Sequence, residues 1–294
     1  HRDKVDFEVS ANVQELSIEN FISGVGIDDG QLALEVSNEM LIVNGDVTLG
    51  GILADVQLRR NFSDDVPYRG KYKINSKIDN MQKLREMGIL PIPSSFIEGG
   101  MEVAFQLTTN DFGYDLAHVQ FDLERTSLSL PAIGWSKKVG SAGNVQVNFE
   151  IDDNNITNIP KFSFTAGDMI MSGSATYDDG SSLNRVNIDQ LSFKRTDLAG
   201  VVIPGKDGGW TLSFHGPSLD LEQSFEDLFK GSSDADDEFD LRLSLSANVD
   251  KVWVGPKHFL NQITGTLSRA ENRWHGISVD GFLSSGEKFN VLLR

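Results

Sequence analysis

The chain has 294 residues, no cysteine and a formal net charge of −17 at pH 7, from 43 acidic against 26 basic residues. That length suits one large all-β unit or two ordinary domains. The acidity argues against nucleic acid as a partner, since phosphates are bound by surplus Lys and Arg, and against docking on an anionic membrane surface. Without cysteine there is no disulfide, thiolate nucleophile or Cys-based metal site, a composition compatible with an oxidising compartment.

Taken in order, the chain reads almost entirely as strands. Val5/Phe7/Val9 and Leu16/Ile18 alternate with polar residues, which puts each set on one face of a strand. Ile27-Asp28-Asp29-Gly30 reads as a turn, followed by Leu32/Leu34/Val36 and Leu41/Val43/Val47/Leu49. At Gly50-Gly51 the parity shifts and Ile52/Ala54/Val56/Leu58 open a fresh strand; Tyr68–Ile78 supplies another. Asp79 with Gln82 has capping-box spacing, and Gly88, Pro91 and Pro93 follow, so a helix of about two turns is expected near 79–88.

Strands resume with Val103, Phe105 and Leu107, turn at Asn110–Gly113 and return through Leu116, Val119, Phe121 and Leu123, with a parity change that predicts a bulge near His118. The clearest alternation runs from Gly143 to Phe214. Val145, Val147, Phe149 and Ile151 share one parity, then Phe162 and Phe164, Met169 and Met171, Leu191 and Phe193, and finally Leu212 and Phe214. Asp/Asn/Gly clusters at 152–155, 178–180 and 207–209 read as hairpin turns. Asp220–Lys230 has an apolar face (Leu221, Phe225, Leu228, Phe229) and predicts a second short helix, followed by an acidic loop over 231–240. Strand patterning then returns to the end of the chain.

The organisation expected is a β segment over 1–217 with its short helix, an amphipathic helix and acidic loop over 218–240, and a continuation of the sheet over 241–294. Two short helices cannot cover fifteen or more strands, so the apolar face must meet a second sheet, close on itself, or meet something else.

Catalytic patterns are missing from the sequence. The five His residues are scattered and read as half-exposed strand histidines, and there is no nucleophile elbow, P-loop or dinucleotide fingerprint. Asp234, Asp236, Asp237 and Asp240 lack the glycine and glutamate of an EF-hand loop. No enzyme activity, metal or cofactor is expected. The four Trp residues read first as core or hairpin aromatics, with a sugar platform as the lesser reading. Asn61-Phe62-Ser63 and Asn155-Ile156-Thr157 match the glycosylation sequon, a short pattern.

Several runs carry a family resemblance: Ile18–Phe21, Asp46–Ala54, Leu130–Lys137, Arg195–Gly200, Gly216–Leu221 and Arg273–Gly281. Together they resemble the large AsmA-like proteins of Gram-negative bacteria, nearest to the YhdP-like branch and related to TamB-type β-groove proteins, over a central-to-C-terminal slice. The resemblance implies an all-β fold: a long, curled, mostly antiparallel sheet forming an elongated hydrophobic groove like an open barrel, with two short capping helices. It further implies a periplasmic location, with the parent protein anchored in the inner membrane by a segment outside this chain. The implied function is lipid transfer, phospholipid acyl chains being shielded on the way to the outer membrane. The groove lining would be Val103, Phe105, Leu107, Phe121, Leu123, Val145, Val147, Phe149, Ile151, Phe162, Phe164, Met169, Met171, Leu191, Phe193, Leu212 and Phe214, with the headgroup left in solvent. The alternative is a non-catalytic interaction module that docks envelope protein partners during outer-membrane assembly.

Overall fold

The computed structural model describes residues 6–22, 25–63, 66–79, 81–86, 96–110, 115–153, 155–178, 182–205, 208–223, 242–270 and 273–293. They form a nearly all-β, mostly antiparallel structure with almost no helix and no closed barrel. The chain divides into two compact units, His1–Leu128 with Lys137–Ile156, and Ser129–Ser136 with Thr157–Arg294.

In the first unit eight long strands pair in an antiparallel series. They are β1 (Glu8–Ile22), β2 (Val25–Ser37), β3 (Met40–Leu49), β4 (Ile52–Asn61), β5 (Gly70–Ile78), β7 (Met101–Thr109), β8 (Asp115–Asp122) and β11 (Gly143–Asp152). β6 (Ile97–Gly99) pairs with the first three residues of β9 (Thr126–Leu130), and β10 is the short strand Trp135–Lys137. Between β3 and β4 the chain reverses over two residues, Gly50 at φ 54° and Gly51 at φ 79°. A two-residue hairpin of this kind needs positive φ at both positions, which is why glycine occupies them.

The one α-helix among the described residues, α1 (Met81–Glu86), buries Met81 and Leu84; Lys83 donates to the Gly51 carbonyl, and Arg85 Nη2 to the Ile97 carbonyl at 2.7 Å. It lies inside the expected helix, whose stop signals Gly88, Pro91 and Pro93 fall outside the described residues.

Two local expectations are corrected. Ile27–Gly30 is not a turn: β2 runs through it with a bulge between Asp28 and Gln31, where Asp29 takes φ 52°. Nor is β8 bulged near His118. It pairs with β7 and β11 in unbroken register. Leu116 simply points to the polar side, 49 % exposed, and an exposed leucine imitated a change of parity.

The second unit pairs nine strands in series: β12 (Asn155–Ala166), β13 (Met169–Asp178), β14 (Ser182–Phe193), β15 (Thr196–Pro204), β16 (Trp210–Asp220), β17 (Leu243–Trp253), β18 (Phe259–Ala270), β19 (Arg273–Leu283) and β20 (Lys288–Leu293). All neighbours are antiparallel except β16 and β17, which are parallel and joined by a crossover. A parallel pair cannot be closed by a tight hairpin, so a long connection is required here. The expected start of the second helix, Asp220, is instead the last residue of β16, residues 221–223 are not helical, and 224–241, with the remainder of that helix and the acidic loop, lie outside the described residues.

Candidate functional site

Cross-strand partners in a sheet share a face, so the registers can be followed from strand to strand. In the first unit one row runs Val13–Leu32–Gly45–Val56–Ile74–Phe105–Val119–Val147 across all eight strands. The next row on that face is Ala11–Leu34–Val43–Leu58–Tyr72–Leu107–Ala117–Phe149. Neither contains a charge. The intervening row on the opposite face reads Asn12–Ala33–Asn44–Gln57–Lys73–Gln106–His118–Asn148 and is polar but for one alanine. His118 serves that polar face, its Nδ1 2.7 Å from Asn148 Oδ1.

The apolar face is most heavily buried toward one end, although Ala117 and Gly70 are buried farther along. Ile27, Val47 and Ala54 form a buried cluster there, and Ile78, Met81, Leu84, Met101 and Leu123 are buried as well. Farther along the strands, Phe105, Leu107, Phe121, Val145, Val147 and Phe149 remain partly exposed, as do Val103 and Ile151. A close-packed interior would have closed over side chains of this size.

The second unit repeats the pattern. One row is Ile159–Ala175–Val186–Val202–Leu212–Leu245–Leu267–Ile277–Leu293, apolar across all nine strands. Its neighbour is Phe162–Gly173–Ile188–Gly200–Phe214–Ala247–Gly265–Val279–Val291. From Phe162 to Phe214 large and small residues alternate in this row, and the two rings lie over glycines. A Cβ on Gly173 would fall 2.8 Å from Phe162 Cζ, and one on Gly200 2.5 Å from Phe214 Cδ1. Phe164, Met171, Leu191 and Leu198 make a third row. Phe162, Phe164, Met171, Leu191, Leu212 and Phe214 are partly exposed, whereas Met169 and Phe193 are each 3 % exposed and sealed.

Polar chemistry concentrates at the strand ends next to those sealed residues. Trp135 is buried; its indole N–H donates to Asp168 Oδ1 at 2.9 Å and its ring meets Phe164 edge-on. Lys194 Nζ donates to the Gly134 carbonyl and to Gln223 Oε1. Arg195 holds Asp220 through two nitrogens, at 2.8 and 3.0 Å, contacts Glu222, and stacks 4.5 Å from the Trp253 ring. Burial, the largest single influence, would raise the Asp220 pKa, but the Arg195 hydrogen bonds, the Glu222 N–H and the Arg195 and Lys194 charges together outweigh it and hold the carboxyl below its ordinary value. In the first unit Lys137 is buried, its ammonium donating to the carbonyls of Leu123, Thr126 and Lys138; burial pushes its pKa down.

These groups are engaged with one another and with the backbone, and among the described residues no three His, Asp or Glu side chains gather as metal ligands. Asn61 is also engaged: its amide donates to the Tyr68 carbonyl at 2.9 Å in a buried position, which sets the first sequon inside the fold. Sequence reasoning missed Ile159, Val186 and Val202 as members of the apolar rows, since membership depends on register. Comparison with protein-family models, curated proteins and solved structures finds no match for this chain.

Proposed function

We propose that the chain is a lipid-binding module that shields the acyl chains of a phospholipid against its apolar sheet faces, as part of a protein that moves lipid between membranes. The observation that carries this reading is the pair of uninterrupted apolar rows in each unit, in which Phe105, Leu107, Phe149, Phe162, Leu212 and Phe214 stay partly exposed although Ala117, Ile159, Ala175, Ile188 and Ile277 are buried. Large contiguous apolar surfaces on a protein mark sites that something else covers. Each buried methylene contributes about 0.8 kcal/mol, so a chain with roughly ten methylenes half covered would recover about 4 kcal/mol of its transfer cost. The rows offer a continuous surface for sliding. The buried side chains of α1 lie with the sealed residues, consistent with a helix that caps one end of a groove. The resemblance to AsmA-like proteins points the same way and adds a periplasmic setting.

A second reading has one observation in its favour. Strand β20 pairs with β19 alone among the described residues, and its Val291, Leu292 and Leu293 are 47, 57 and 53 % exposed. Such an edge can accept a strand from an envelope protein partner.

The test is native mass spectrometry with lipid extraction of protein purified from bacterial cells, in the wild type and in Phe149→Asp and Met171→Asp. Co-purifying phospholipid that is lost in both folded variants supports the lipid reading. Lipid-free wild-type protein, or wild-type occupancy in both variants, removes it and leaves strand addition to a protein partner.

A further inference from the structure

At the strand ends away from the buried Val47–Ala54 cluster, the apolar face of the first unit changes chemistry. The row beyond Leu58 and Tyr72 on the same face is Leu41–Arg60–Gly70–Thr109. Arg60 therefore sits on the apolar parity of β4, two residues from Leu58. There Arg60 and Arg69, with Asn61, Tyr72, Thr109 and Asn110, border a cavity of about 540 Å³.

Gly70 lies in the same row, between Arg60 and Thr109. A Cβ on it would fall 2.7 Å from Thr109 Oγ1 and 2.8 Å from Tyr72 Cε2, so only glycine lets the phenol and the hydroxyl converge over this backbone. The backbone around the cavity is fixed. Arg69 N–H donates to the Thr109 carbonyl and Asn61 N–H to the Arg69 carbonyl, each at 2.8 Å. Arg69 Nη1 also donates to the Ser63 carbonyl at 2.7 Å. The Asp115 carboxylate at the rim is engaged by the Asn110 N–H at 2.9 Å. The Arg60 side chain has no ion pair or hydrogen bond among the described residues, in a chain whose net charge is −17.

We infer that this cavity takes a phosphate-ester anion, the headgroup phosphate of a glycerophospholipid whose acyl chains run down the apolar face from it. The inference rests on the lipid reading above and deepens it. A guanidinium matches phosphate oxygens in a bidentate fork, and the neighbouring hydroxyls add donors. From Arg60 back to Ala54 the strand covers about 20 Å at ~3.3 Å per residue, a length suited to an extended acyl chain ending near the sealed cluster. Net acidity argues against binding to a whole anionic membrane, but a single phosphate responds to the charges within its own cavity. The expectation that the headgroup stays in solvent gives way to a local site.

The experiment titrates the full 294-residue chain, by calorimetry and native mass spectrometry, with three probes. These are short-chain phosphatidylglycerol, the diacylglycerol with the same chains and no phosphate, and glycerol phosphate with no chains. The expected result is phosphatidylglycerol bound about tenfold more tightly than diacylglycerol, a ratio that Arg60→Ala collapses to within about twofold and Arg60→Lys partly keeps. Thr109→Val gives a second, smaller reduction at a position that carries no charge. Diacylglycerol binding unchanged across the variants shows that the apolar face is intact. Equal binding of the two lipids by the wild type, or a ratio untouched in Arg60→Ala, overturns the headgroup site while leaving the lipid reading standing. Absence of binding by either lipid overturns the lipid reading itself. Glycerol phosphate bound as tightly as phosphatidylglycerol, with the same Arg60 dependence, overturns the assignment to a lipid and makes a free phosphate ester the ligand.

Discussion

Removing the Arg195 side chain tests the corner that fastens the parallel pair of strands. Asp220 is 7 % exposed at the end of β16, where its carboxylate accepts two Arg195 hydrogen bonds and the Glu222 N–H at 3.1 Å. Its own N–H donates to Thr196 Oγ1 at 3.0 Å. Arg195→Ala leaves that buried charge with backbone donors only and strips the guanidinium from the Trp253 ring. Breaking a fully buried ion pair costs about 3–5 kcal/mol. Arg195 is 30 % and Glu222 35 % exposed on their side chains, so solvent screens part of the interaction. A loss of about 2–3 kcal/mol results once that screening is allowed for. At about 2–4 °C per kcal/mol for a unit of this size, calorimetry at pH 7 should show the melting of the second unit lowered by roughly 4–12 °C.

The pH dependence sharpens the test. Because the folded Asp220 pKa lies below its ordinary value of 3.8, the unfolded chain binds the extra proton first as pH falls. The stabilisation is therefore complete above the unfolded pKa and drains away as pH drops through the folded one. In Arg195→Ala burial is opposed only by the Glu222 N–H and the Lys194 charge, so the folded pKa rises and the acid-side loss of stability moves to higher pH. An unchanged acid limb together with a stability change below about 0.5 kcal/mol would refute the reasoning.

Three further outcomes follow from the packing. Gly200→Ala places a Cβ 2.4 Å from the Ser213 carbonyl oxygen and 2.5 Å from Phe214, so urea denaturation should register a loss of about 1–3 kcal/mol. Val56→Lys, on the apolar face against the Val47–Ala54 cluster, should destabilise by about 1–2 kcal/mol, while Gln57→Lys next to it stays within about 0.5 kcal/mol; equal effects would void the face assignment. Expression in a glycosylating host should leave Asn61 unmodified by intact mass, since its amide is buried and bonded to Tyr68.

Much of the fold was legible because strand periodicity is local. Val145 through Ile151 lie on one face as their alternation predicts, the Gly50-Gly51 reversal is a two-residue hairpin, and Met81–Glu86 is helical where the capping spacing placed a helix. What was not legible depends on partners distant in sequence. The bulge between Ile159 and Phe162 switches which residues of β12 face the apolar side, and it is defined only against β13. Gly173 and Gly200 belong to an apolar row but register as gaps in hydropathy, since their role is to seat a ring from the next strand. The parallel pairing of β16 with β17 has no local signature at all. Arg60 beside Arg59 looks like a polar strand end, and only the register through Leu41 and Gly70 puts it on the apolar face.

Photo-cross-linking from within the rows tests the central claim most directly. Benzoylphenylalanine in place of Phe105 and of Phe214 replaces one aromatic by another on the apolar faces; in place of Gln106 and of Ser213 it samples the opposite faces one residue away. The lipid account predicts phospholipid adducts, identified by mass, at Phe105 and Phe214 and none at Gln106 or Ser213 when each protein is irradiated in cells. Adducts spread equally over both faces, or protein adducts alone at Phe105 and Phe214, would contradict it.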